Sequence, residues 1–222
     1  MGMERSIWVI GDIHGMVDPL TTLLNTIRCI EYTRDRRVTI VFLGDYIDHG
    51  PCSKEVVVYL LGLAEDLDAV FLAGNHEDML LQFLKPEPGL EDYGLAWFTA
   101  NGGQATVCSF MRSRYILRRL WMRAAAIDGF TAADFRLEPC HQRFFESLQY
   151  AHTEEIPLGL QRVRLAFTHA TLYRQADSHL PVDDLDADIP IEQQLISRSR
   201  REFAALRRSE ERRVGKECRS RW

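Results

Sequence analysis

The chain has no stretch approaching the roughly 18 consecutive apolar residues of a membrane span, and its N-terminus reaches the Gly11-Asp12 turn too soon to hold a secretory signal. These absences lead to the expectation of a cytoplasmic protein with no membrane partner. Cysteine is sparse: Cys29, Cys52, Cys108, Cys140 and Cys218 are odd in number, widely spaced, and never arranged Cys-x-x-Cys. That excludes a disulfide framework and a thiolate zinc site. Solenoid-length repeats and long low-complexity segments are missing too. What remains is 222 residues, 46% hydrophobic and 27% charged, enough to bury one large core in an ordinary soluble globular protein.

Charge is divided unevenly. The formal net charge is −5, yet from Ser197 onward ten Arg/Lys stand against four Glu, so residues 1–196 carry −11. Basic clusters can neutralise phosphates, but the acidic body, the interspersed glutamates and a tail without a stacking surface argue against specific nucleic-acid binding. The expected organisation is one domain over 1–206, followed by a basic tail over 207–222 that is foreign or disordered.

Three apolar runs each close on a polar turn. Ile7-Trp8-Val9-Ile10 ends in Gly11-Asp12-Ile13-His14-Gly15, and Val38 to Leu43 ends in Gly44-Asp45-Tyr46-Ile47-Asp48-His49-Gly50-Pro51. Ala69 to Ala73 ends in Gly74-Asn75-His76-Glu77. Each loop is followed by helical spacing: Pro19, Leu20, Leu23, Leu24 and Ile27; then Val56, Tyr59, Leu60 and Leu63 behind a Ser53 cap; then Met79, Leu80, Phe83 and Leu84. Repeated strand–loop–helix units predict an α/β fold with parallel strands and all three loops on one edge. The aromatic segment from Leu90 to about Tyr150 predicts a helical insertion, Arg162 to Thr168 a fourth strand ending at His169, and Ile191 to Phe203 a further helix.

The polar groups at these strand ends are Asp12, His14, Asp45, Asp48, Asn75, His76 and His169. Singly, each has an ordinary explanation: a Gly-Asp turn, a helix cap, a core histidine. Together, carboxylate, amide oxygen and imidazole form a mixed hard and borderline ligand set suited to Mn²⁺, Fe or Zn²⁺. Two ions roughly 3.5–4 Å apart and sharing a carboxylate would use them all, in a pair able to activate water for displacement at phosphorus.

With these segments in view, the sequence resembles the calcineurin-like metallophosphoesterases, and in particular the phosphoprotein-phosphatase branch with its small bacterial and phage serine/threonine phosphatases. The match runs over about residues 6–170. The resemblance implies a four-layer α/β/β/α sandwich with a di-metal centre, manganese being the first expectation. It implies that Asp12 and His14 bind the first metal, Asp45 bridges both, and Asn75 and His169 bind the second. His76 would be the general acid that protonates the leaving alkoxide, oriented by Asp48. The implied reaction is attack of a di-metal-bound hydroxide on a phosphomonoester, with phosphorylated protein side chains as first substrate and dinucleoside polyphosphates as the alternative. Glu77 is read only as favouring the dipole of its helix, and Cys52 as a plain small side chain.

Two departures stand out. Position 49 carries His where the family has an Arg that grips substrate phosphate, so weaker phosphate binding is expected. A further metal-binding His in a Gly-His-Thr or Gly-His-Asn segment has no counterpart. Either the domain lacks its last strand and ligand, leaving a catalytically weakened binding protein as the alternative of another class, or His141, His152 or His179 substitutes.

Overall fold

Parallel strands bring sequence-distant loops together only if their ends lie level, and the register here achieves that. The computed structural model describes residues 5–32, 34, 36–111, 130–158, 161–169, 172–174 and 195–197. Strands β1 (Arg5–Ile10), β2 (Arg37–Phe42) and β3 (Asp68–Phe71) form a parallel sheet in the order β1-β2-β3. Ile10 pairs with Phe42 and Phe42 with Phe71, so all three strands stop at one height. The central strand is covered on both faces, with Ile40, Val41 and Phe42 all buried. That explains why its sequence is a continuous apolar run rather than an alternating one.

Helices α1 (Val17–Tyr32), α2 (Ser53–Asp66) and α3 (Asn75–Leu84) follow the three loops as expected. Two details differ. Leu23 of the expected apolar stripe is 42% exposed. Glu31 turns inward instead and accepts hydrogen bonds from Trp8 Nε1 (2.9 Å) and Ser6 Oγ (3.1 Å). Ser53 does not cap α2: its hydroxyl faces the second loop and accepts from the Asp48 amide at 3.2 Å.

The insertion is helical, with α4 (Glu91–Ala100), α5 (Gly103–Met111), a 3₁₀ turn at Ala132–Asp134 and α6 (Pro139–Glu146). Gly94 lets α4 lie against the α3 backbone, where a Cβ would meet Gln82 carbonyl carbon at 2.5 Å. Trp97 fills the space between Phe83 and Phe135. Strands β4 (Ala151–Leu158) and β5 (Gln161–Thr168) pair antiparallel, Ala151 opposite Thr168. The Gln149 carbonyl accepts from the Ala73 amide at 2.7 Å, and Arg5 holds Glu154 through two bonds of 2.7 and 2.8 Å. Helices and a parallel sheet thus make the mixed α/β fold.

The structure divides into one unit over 1–169 and another over 170–222. In the second, β6 (Leu172–Arg174) pairs antiparallel with β7 (Leu195–Ser197). At residues 195–197 a strand thus replaces the helix expected over Ile191 to Phe203, Leu195-Ile196 being too short an apolar run for periodicity to separate the two states, and the rest of that range lies outside the described residues. The tail over 207–222 and His179 lie outside the described residues.

Candidate active site

The loops interlock through their backbones before any side chain is considered. Ile13 and His14 amides both donate to the Asp45 carbonyl at 2.9 Å, the Gly15 amide to Tyr46 at 2.8 Å, and the Gly50 amide back to His14 at 3.1 Å. Glu77, with no solvent exposure, accepts from the amides of Asp45 (2.8 Å), Tyr46 (2.8 Å) and Gly74 (2.9 Å). One carboxylate therefore ties the second loop to the third. Burial pushes its pKa up to about 7, with the Asp45 charge adding to the rise and the three amide bonds opposing it. The sequence reading missed this role because a Glu in the first turn of a helix has a sufficient local explanation.

These bonds hold a strained backbone. His14 (φ 45°), Asp45 (φ 54°), Asp48 (φ 72°) and His49 (φ 58°) are all left-handed, at a cost on the order of 1 kcal/mol or more each. Gly74 admits no side chain, since a Cβ there would collide with Asp45 Oδ1.

Around Asp45 the side chains converge. Its Oδ2 lies 3.3 Å from His169 Nε2, 3.8 Å from His14 Nε2 and 3.9 Å from His76 Nε2. His14 Nδ1 sits 2.8 Å from the Ile47 carbonyl. A carbonyl only accepts, so Nδ1 carries the hydrogen and the Nε2 lone pair faces Asp45, the orientation of a metal ligand. Asn75 Oδ1 is 3.2 Å from His169 Nε2, and Asp12 Oδ1 is 3.8 Å from His169 Nδ1, a buried nitrogen without a hydrogen-bond partner among the described residues. Ligand atoms of Asp12, His14 and Asp45 all lie within 4.8 Å of one another.

His76 is anchored through its other ring nitrogen. Its Nδ1 is 2.6 Å from Asp48 Oδ2, while the His76 amide donates to Asp45 Oδ1 at 3.1 Å. Asp48 is fully buried and receives two further donors, Trp97 Nε1 at 2.8 Å and Thr106 Oγ1 at 2.6 Å. Nothing in the local sequence signals either of these partners.

Burial disfavours the charged forms of Asp45, His76 and His169, and their mutual contacts outweigh it. Asp45 is held below its usual carboxylate range by the His169 bond and by the His169 and His76 charges. His76 is raised by its bond to Asp48 and the charges of Asp45, Asp48 and Glu77; His169 is raised by Asp45 and Asp12.

His49 is exposed, its ring 4.8 Å from that of His14 and 5.2 Å from that of His76. His141 instead packs edge-on against Phe110, and His152 bonds Glu154 and stacks on Phe167. Neither has a hydrogen bond or ion pair to the Asp45 cluster among the described residues. Cys52 is a free, half-buried cysteine whose amide donates to the Gly15 carbonyl at 3.1 Å.

The family model for calcineurin-like phosphoesterases matches residues 5–190. The chain belongs to that family. Among curated members, the phosphoesterase is 33% identical over 97 residues to the bis(5'-nucleosyl)-tetraphosphatase PrpE (asymmetrical) of Oceanobacillus iheyensis, covering 42% of this chain and 39% of the relative. It is 36% identical over 90 residues to the symmetrical bis(5'-nucleosyl)-tetraphosphatase of Coxiella burnetii, covering 39% and 28% respectively. The chain thus spans less than half the length of these relatives. Among solved structures, a chain titled a putative diadenosine tetraphosphatase is 20% identical with a TM-score of 0.35, covering 68% of this chain and 49% of its own. No helix among the described residues is long and apolar enough to cross a membrane.

Proposed function

We propose that this phosphoesterase hydrolyses dinucleoside polyphosphates of the diadenosine tetraphosphate type, using divalent ions held by Asp12, His14, Asp45, Asn75 and His169. The observation that carries phosphoester chemistry is the convergence of three imidazole Nε2 atoms within 3.9 Å of one buried Asp45 oxygen. So dense a set of nitrogen and oxygen donors, with one buried nitrogen of His169 unpartnered, fits divalent cations of the Mn²⁺, Fe or Zn²⁺ kind. When bound there, such ions supply Lewis-acid polarisation of the phosphoryl oxygens and an activated water.

The protein's own part is positional. His76 Nε2 faces the Asp45 cluster while its Nδ1 is anchored on Asp48, so it can donate a proton to the oxygen that departs from phosphorus. His49, exposed beside His14 and His76, is placed to meet an incoming phosphate. The substrate class rests on the names of the relatives, which support a dinucleotide over the phosphorylated side chain that the resemblance put first.

The experiment is a side-by-side assay with Mn²⁺ of diadenosine tetraphosphate and a phosphopeptide, with Asp45→Asn as control and metal analysis of the same sample. Cleavage of the dinucleotide, lost in the variant, is expected. Preference for the phosphopeptide would overturn the substrate, and turnover of neither would leave a binding protein of the same fold.

A further inference from the structure

Asp48 receives more hydrogen bonds than an orienting carboxylate needs from His76 alone. Its Oδ2 is shared between His76 Nδ1 (2.6 Å) and the Trp97 indole N–H (2.8 Å), and its Oδ1 accepts the Thr106 hydroxyl (2.6 Å). Thr106 Oγ1 also accepts from the Asp48 amide at 2.9 Å, so one threonine grips both the main chain and the side chain of one residue. That double contact fixes the plane of the carboxylate. Trp97 cannot swing away either: it is fully buried between Phe83 and Phe135, with the Gly103 backbone against its ring. The two donors come from α4 and α5, 49 and 58 residues beyond Asp48.

We propose that Trp97 and Thr106 are positioning residues for the acid step, locking the Asp48 carboxylate so that His76 presents its Nε2 proton to the departing oxygen. The inference rests on the assignment of His76 as the acid. In that step a water oxygen bonds to phosphorus and gives up a proton to solvent, the bond from phosphorus to the leaving oxygen breaks with its electron pair on that oxygen, and that oxygen takes the proton from Nε2 while Nδ1 keeps its hydrogen, donated to Asp48. A misaligned acid hurts most when the leaving oxygen is strongly basic. A residue that merely supports the fold lowers every rate alike.

The test uses the full chain with Mn²⁺, phenyl phosphate as the poorly departing substrate and 2,4-dinitrophenyl phosphate as the readily departing one. Thr106→Val and Trp97→Phe should each lose about ten-fold in kcat on phenyl phosphate, with KM unchanged and little loss on the dinitrophenyl ester. Thr106→Ser should recover the rate. Because Trp97→Phe opens a cavity, benzothienylalanine at position 97 supplies an isostere that lacks only the N–H donor. Equal losses on both substrates, or no loss, would overturn the proposal. A second readout is the low-field proton resonance of His76 Nδ1–H, assigned by its disappearance in His76→Asn. It should shift in the position 97 and 106 variants, and an unmoved resonance overturns the proposal as well. The diadenosine tetraphosphate assay decides the functional reading separately; should the wild-type chain hydrolyse neither ester, the resonance alone decides whether these residues position His76.

Discussion

An imidazole stands at position 49 where the family resemblance implies a guanidinium, and the structure shows what room it has. The ring is exposed, edge-on to His14 and His76, and a Cβ on Gly102 would come within 2.8 Å of its Nδ1. A guanidinium would offer a permanent fork of donors at this exposed position. His49→Arg is therefore expected to lower KM about ten-fold with kcat little changed, the worth of one charge-assisted contact. Steady-state kinetics at a single pH check this, and an unchanged KM would count against it. At this scale Asp12, His14, Asp45, Asp48, Asn75, His76 and His169 were legible in the sequence because each stands beside the end of an apolar run, and the structure brings them together. Trp97 and Thr106 were not, since their partner is distant in sequence and neither residue breaks a local pattern.

The loops act as a set because Glu77 joins them. Removing one of its acceptor oxygens leaves buried amide donors of Asp45, Tyr46 or Gly74 unmatched and places an amide group against them. Glu77→Gln should cost about 2–4 kcal/mol, read as a lower urea midpoint with an unchanged slope. A midpoint within a few tenths molar of wild type would show that the loops do not depend on it. Strands β1 to β3 and helices α1 to α3 were readable because burial on two faces, or on one stripe, leaves a period in the sequence. β4 was not: Glu154, Glu155 and Pro157 are residue types depleted in strands, and its register with β5 defines it. Glu77 shows the same limit in a helix, where the first-turn position accounts for the residue without disclosing the bonds it makes.

Across the molecule the first strand is tied to a hairpin nearly 150 residues on by Arg5 and Glu154. The Arg5 bond holds the Glu154 carboxyl below its usual value of 4.5, burial opposing and His152 assisting. A depressed acid contributes stability that is present above its unfolded value and is lost as pH falls through the folded one. Burial of His141, with the Lys54 charge assisting and Glu138 opposing, depresses that imidazole below 6.5. By the same sign, the neutral buried form stabilises above 6.5 and the advantage disappears as pH falls. Acid weakening should therefore come in two stages, His141 first and Glu154 below it. Urea midpoints measured from pH 7 downward should flatten in the upper stage for His141→Gln and in the lower for Glu154→Gln. Curves parallel to wild type in both variants would remove these groups as the cause.

The four left-handed residues of the site have a consequence for descent. At His14, Asp45, Asp48 and His49 the backbone would be more comfortable as glycine or asparagine, so mutation alone drives these positions toward residues that relax the loop and abolish the chemistry. Only the usefulness of the side chains opposes that drift. In any lineage that keeps this scaffold after the reaction has ceased to matter, these four positions should be among the first to change, and they should change toward glycine and asparagine while Glu77 stays.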